Sequence, residues 1–291
     1  MRPVLFIANF ALLFLATVVF LPSTWANGPD DFGPTPEESL QALGIDTSAH
    51  SLRVIASDPG INSEVRYFAS VALGRTKDPE HLSVLEPLLA DINKDVRIGA
   101  LIAIRTIASP SSVDRLIQTM DNDKSVVVRR VSITALGEIG SDAAIDAILR
   151  VSADTTNPIQ LRTDSITAVE HLLNLKRVQY VVVQDRLKPM LDDADPSVRL
   201  AAALTASAGG DAEAAVPVLV EIATNTAVDN WLVAKAITSI QATTKNDFSY
   251  VSDGSMRSRF SKEGQQPAIS ALKAWWAENN ESYGGSSRAQ E

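Results

Sequence analysis

Apolar and small residues return at helical spacing along most of the chain, in blocks that each open on an apolar residue followed by arginine. One block reads Val128, Arg129, Ser132, Ala135 and Leu136. The same slots hold Val65, Arg66, Ala69, Ala72 and Leu73, then Val96, Arg97, Ala100, Ala103 and Ile104, then Leu161, Arg162, Ser165, Ala168 and Val169; Val198, Arg199 and Ala202 begin a fifth copy. At about 100° per residue these slots fall in one arc, so each block predicts a helix whose small and apolar side chains share a face. The remaining sides are apolar too, as Ile98, Leu101 and Ile102 show, and a helix apolar nearly all round is a buried one. Between the blocks, residues 79–90, 112–120, 142–152, 179–191 and 212–223 carry a single apolar stripe with charges elsewhere and predict outer helices. Successive arginines lie 31, 32, 33 and 37 residues apart, a period that marks one supersecondary unit stacked repeatedly. The expected fold class is all-α, an α-solenoid (α-α superhelix) of about six helical repeats.

An inner helix in such a stack touches its outer partner and its neighbours on both sides, which leaves one narrow strip open. The angular count centres that strip two residues after the apolar opener, on Tyr67, Ile98, Arg130, Thr163 and Leu200, and these are the candidate partner-binding residues. Pro87, Pro189 and Pro217 fall within the outer segments and predict kinks there, since proline removes one helical hydrogen bond.

The motif Asp-x(n)-Val-Arg-x-x-Ala-x-x-Ala-Leu-Gly with an outer-helix proline resembles HEAT repeats, most closely the bacterial subtype of the phycobilisome lyases, over about residues 58–241. The resemblance implies that the second helices line a concave face. It also implies an Asp–Arg ladder along the turns, with Asp58, Asp91, Asp123 and Asp195 serving Arg66, Arg97, Arg129 and Arg199, and Arg162 belonging to the same series. Asn230 takes the arginine slot of a sixth copy, ahead of Ala236 and Ile237.

The ends read differently. Residues 1–26 begin with Arg2, run apolar from Val4 to Leu21 and close on Thr24-Trp25-Ala26, the form of a secretory signal cleaved before Asn27; uncleaved, the same run is long enough to anchor in a membrane. Either reading exports the repeats to the periplasm or cell envelope. Residues 27–35 read as a linker and 36–57 as two N-terminal capping helices, the first opened by a Thr35-Pro36-Glu37-Glu38 capping box. Repeats fill 58–242, a polar loop 243–264, a capping helix 265–279 and a disordered tail 280–291. Asp247-Phe248-Ser249-Tyr250 followed by Trp275-Trp276 is similar to the ending of many bacterial HEAT-repeat proteins.

Charge and composition narrow the function. The formal charge is −9, and loss of the leader removes only Arg2, so the surface argues against nucleic acid and against adhesion to anionic lipid. There is no cysteine, hence no disulfide, thiolate nucleophile or Cys-type zinc site. Glu80-His81 and Glu170-His171 bring to mind the His-Glu pairs from which deoxyhypusine hydroxylase, also built of HEAT repeats, makes a di-iron site, but the order is reversed and the pairs sit at non-equivalent places. Asp91-x-Asn93-x-Asp95, Asp121-x-Asp123-x-Ser125 and Asp193-x-Asp195-x-Ser197 imitate a calcium loop without its Gly at position six or Glu at twelve, and read as turns and caps. Ser270-x-x-Lys273 lacks the partner motifs of a serine–lysine enzyme. No cofactor or metal is expected. A second binding candidate is the loop cluster Tyr250, Arg257, Arg259 and Phe260, basic and aromatic in an acidic protein. The reading is a non-catalytic scaffold for a protein or peptide partner in the cell envelope, touching membrane only if residues 1–26 remain; the alternatives are a phycobilin-lyase-like chromophore lyase or chaperone and a HEAT-repeat metalloenzyme.

Overall fold

The computed structural model describes residues 34–248 and 261–284, and every regular element among them is helical. The chain divides between Ile139 and Gly140 into two compact units.

In the first unit, α1 (Pro36–Ala42) and α2 (Ala49–Ser57) precede three inner helices, α3 (Ser63–Arg75), α5 (Lys94–Ile107) and α7 (Val126–Ile139). Between them lie the outer segments: α4 (Leu82–Leu85) with a 3-10 turn on either side, and α6 (Val113–Asn122). Thr35 and Glu38 close a reciprocal capping box on α1, Thr35 N–H donating to Glu38 Oε2 at 2.7 Å and Glu38 N–H to Thr35 Oγ1 at 3.2 Å. The inner helices α3 and α5 approach so closely that no Cβ fits between them at two points. A methyl on Gly74 would stand 2.4 Å from Ala103 Cα, and one on Gly99 would stand 2.9 Å from the Tyr67 ring and 3.0 Å from the Tyr67 carbonyl. Residues Val96 to Ile104 of α5 are all buried as a result.

In the second unit the inner helices are α9 (Ile159–Asn174), α11 (Pro196–Ala208) and α13 (Asn230–Thr244), and the outer ones α8 (Asp142–Ala153), α10 (Tyr180–Leu187) and α12 (Ala212–Thr224). α14 (Lys262–Asn279) follows, its buried Gln265 donating to the Asn230 carbonyl at 2.7 Å.

Three expectations change. Pro87 and Pro189 do not kink a continuous outer helix but end it, because each stands in the first two positions of a 3-10 segment, Pro87–Ala90 and Lys188–Asp192; of the three, only Pro217 is accommodated inside a helix, α12. The polar segment 243–264 is shorter than its composition suggests: α13 runs through Thr244, Phe248 is buried with its ring 5.5 Å from that of Trp275, and α14 starts at Lys262. The tail begins later than Asn280, since a 3-10 turn, Asn280–Tyr283, packs Tyr283 against Trp275 and Trp276 at 5.8 and 6.1 Å between ring centroids. No helix among the described residues is long and apolar enough to cross a membrane, and the apolar run Val4–Leu21 lies outside them.

Candidate functional site

The turns that launch the inner helices are built alike. Asp58, Asp91, Asp123, Asp154, Asp193 and Asn225 each accept the N–H of the residue two places on, at 2.7 to 2.9 Å, so the apparent calcium motifs are turns of this kind with N-caps. The arginines meet these turns in a register one repeat later than the resemblance implies. Arg66 donates to Asp91 Oδ2 at 2.7 Å, Arg97 to both oxygens of Asp123 at 2.7 and 2.9 Å, and Arg162 to both oxygens of Asp193. Their remaining N–H groups reach carbonyls that precede their own helix, Ala56 for Arg66, Asp91 for Arg97 and Ser152 for Arg162. Arg129 likewise donates to Met120 O. The guanidinium groups of Arg66, Arg97 and Arg162 thus each join the end of one outer segment to the turn of the next repeat, and favourable contact with helix-end carbonyls fixes their direction. Asp195 caps α11 and is no ladder member. Arg199 departs from the series: Asn225 stands where a carboxylate would receive it, and Arg199 pairs instead with Glu221 at 3.0 Å. Burial pushes the Asp193 carboxyl up, but hydrogen bonds from Arg162 and the Asp195 N–H outweigh it and the group ionises below its ordinary range.

The inner-face strip is narrower than its helical projection. Tyr67, Arg130 and Thr163 are half-buried on α3, α7 and α9, but Ile98 and Leu200 are 3% and 2% exposed. Both belong to the middle helix of their unit, α5 or α11, which neighbours flank on both sides. In the first unit the open positions are Glu64, Tyr67, Phe68 and Val71 on α3, Asp95 and Arg105 on α5, and Val127, Arg130 and Thr134 on α7. Burial holds the Tyr67 phenol up to about 12, with Asp95 adding to the effect and Arg105 opposing it. Burial also lowers the Arg105 guanidinium against the pull of Glu138 and Tyr67.

In the second unit the open face shows a pair that the sequence pattern does not single out. Trp231 on α13 is 54% exposed, and Lys235 one turn later places its ammonium 5.3 Å from the indole centroid. They are missed because Asn230 does not hold the arginine slot. It is the first residue of α13, and Val233 occupies the fourth position that arginine holds in α3, α5, α7, α9 and α11. A slip of three residues turns a helix by about 300°, so the apolar stripe reads almost equally well in either register. The signal in the sequence is Trp231 itself, a large side chain in blocks otherwise closed by Ala, Val and Ser.

Glu170 on α9, within the electrostatic reach of Lys235, is half-buried. Burial raises its carboxyl above the ordinary range, and Lys235 and His171 offset only part of that. A carboxyl raised in the fold favours folding fully below its unfolded value and loses that contribution as pH rises through the folded one. Glu170→Gln is therefore expected to shift the urea midpoint upward at pH 7, and to match the parent as pH falls below 4.5; a lower midpoint at pH 7 would show that Glu170 is satisfied as an anion.

His81 is buried and its Nδ1 accepts from Arg53 Nε at 3.1 Å, while Arg53 also lies 3.6 Å from Glu80; no group of three metal-ligating side chains converges among the described residues. Ser270 and Lys273 are exposed on α14. Tyr250, Arg257, Arg259 and Phe260 lie outside the described residues.

Comparison with known proteins places HEAT repeats, as a family model, on residues 87–170, the span of Arg97, Arg129 and Arg162. No curated protein matches the chain. Solved structures similar to it include an engineered protein, 15% identical over 78% of this chain and 96% of that one with a TM-score of 0.40. Another is a computationally designed armadillo repeat protein for modular peptide recognition, 18% identical over 72% and 99% with a TM-score of 0.38. A third is the complex of CpcE and CpcF of phycocyanin lyase from Nostoc sp. PCC7120, 17% identical over 87% and 98% with a TM-score of 0.39.

Proposed function

We propose that this chain, a HEAT-like repeat protein, is a non-catalytic scaffold that binds a polypeptide partner along the inner helices of its two units, and that it works in the periplasm or cell envelope. The observation that carries the reading is Trp231. A tryptophan left more than half exposed on an inner helix, with a lysine stacked on it, has no packing role that would keep it there. Such a side chain suits an interface, where tryptophan, tyrosine and arginine supply most of the binding energy. Tyr67 and Arg130 present the same residue types on the inner face of the first unit. The apolar run and Thr24-Trp25-Ala26 ending of residues 1–26 support export.

The test is cross-linking and recovery of the partner from the native envelope, followed by calorimetry against the purified variants. Trp231→Ala is expected to weaken binding by about 2 kcal/mol, and Tyr67→Ala by about 1 kcal/mol, with unchanged circular dichroism. A partner whose affinity ignores both substitutions would place its site off the inner helices and defeat this reading.

A further inference from the structure

We infer that the open stripe of α13 and the cavity at its end form a site for the C-terminus of a polypeptide, whose terminal carboxylate enters the cavity beside Lys245 while the preceding residues lie along the helix toward Trp231. The inference rests on the scaffold reading above and specifies which part of a partner the second unit takes.

The stripe is continuous. Trp231, Lys235, Thr238 and Ala242 are exposed at intervals of four, three and four residues, so they share one face of α13, while Val233, Ala236, Ile237 and Ile240 are buried. From Trp231 to Ala242 it runs about 16 Å at 1.5 Å per residue. An extended chain covers that length in about five residues. The stripe ends at an open cavity of about 290 Å³, lined by Ala242, Thr243 and Lys245 at the end of α13, by Ser207 of α11, and by Gly210 and Ala212 at the turn into α12. Ligand pockets run from about 300 Å³ upward, so a space of this size holds the end of a chain better than a whole cofactor.

The polar side chains at the cavity are donors. The Lys245 ammonium makes no hydrogen bond or ion pair among the described residues. The Ser207 and Thr243 hydroxyls lie 2.6 Å apart and either can donate to the other, while Thr243 Oγ1 also reaches the Ser239 carbonyl at 2.7 Å. When Thr243 donates to Ser207, the Ser207 proton turns to a ligand, and the site offers a cation and a hydroxyl to one acceptor. Acids stand nearby, but none lines the cavity. Asp211 accepts the Ala214 N–H at 3.0 Å and the Tyr180 phenol, and Asp247 accepts from Gln241 Nε2 at 3.2 Å. Asp229 precedes α13 at the Trp231 end, where Glu170 acts on Lys235. That distribution orients the ligand, with its carboxylate at Lys245 and its uncharged residues at Trp231. A chain at −9 repels a run of acids, whereas a single terminal charge is met by one lysine.

The experiment uses the full chain and N-terminally labelled hexapeptides with an aromatic residue first and a small apolar residue last. Each is made with a free C-terminal carboxylate, with a C-terminal amide, and as an amide with Glu in the last position. The free acid is expected to bind at least about tenfold more tightly than either amide. Lys245→Gln should remove that preference, as should Ala242→Phe by filling the cavity, and Ser207→Ala should reduce it a few-fold; Trp231→Ala should weaken all three forms alike. Circular dichroism melts establish that each variant is folded. No binding of any form, equal binding of acid and amide, or a preference that survives Lys245→Gln would each overturn the proposal, and a Glu amide as tight as the free acid would overturn the assignment to a chain end. A native partner whose binding depends on Trp231 but not on Lys245 would overturn it while leaving the scaffold reading in place.

Discussion

Gly74→Ala is expected to destabilise the first unit by about 3 kcal/mol, at the upper end of what an added methyl does in a packed interior. The reason is geometric. The new Cβ would stand 2.4 Å from Ala103 Cα, 2.7 Å from its Cβ and 2.9 Å from its carbonyl oxygen, and two of those three atoms are backbone. No side-chain rotation can relieve the clash, so α3 and α5 must separate and the contacts between them along Tyr67 and Gly99 loosen with them. Gly44→Ala provides the comparison. Gly44 has φ +74° and open space around its Cβ direction, so alanine there meets only the left-handed backbone penalty of about 1 kcal/mol. Urea midpoints followed by near-ultraviolet circular dichroism should separate the two, and equal losses would mean that α3 and α5 are not in that contact.

The second large effect is expected at the ladder. Arg97 and Asp123 pair at 2.7 Å with side chains only 5% and 8% exposed. Arg97→Met leaves the carboxylate buried without its cation, and loss of one member of such a pair costs about 3–5 kcal/mol. Replacing both, as Arg97→Met with Asp123→Asn, should be less damaging than the sum of the single changes, because no net charge is left behind. A double variant whose loss equals the sum would show that the two groups do not interact.

Much of the architecture could be read from the order of residues. The positions of α3, α5, α7, α9 and α11 follow from the recurring apolar-Arg-x-x-small pattern, because burial on several sides demands those residue types at that spacing. The capping box of α1 is equally local. What could not be read depends on contacts between elements. Ile98 is open in a projection of α5 alone and closed once α3 settles on Gly99. The pairing of Arg66 with Asp91 rather than Asp58 depends on how far a guanidinium reaches across the seam between repeats, which spacing does not encode. Trp231 is hidden by a three-residue ambiguity of register.

The offset ladder bears on how this chain could be cut or lengthened. Since Arg66, Arg97 and Arg162 are each completed by the turn that opens the following repeat, the smallest self-sufficient length is not one pair of helices but a pair plus the next turn. A fragment ending at Ile107 would keep the Asp91 carbonyl for Arg97 but lose its carboxylate, whereas one extended past Asp123 would keep both. An array of this kind therefore needs a terminator, a last repeat that asks nothing of a successor. The sequence supplies one in two steps: Asn225 withdraws the carboxylate, sending Arg199 sideways to Glu221, and Val233 then withdraws the cation altogether. Grafting further copies after α13 should accordingly succeed only if Val233 is first restored to arginine and the added turn begins with aspartate.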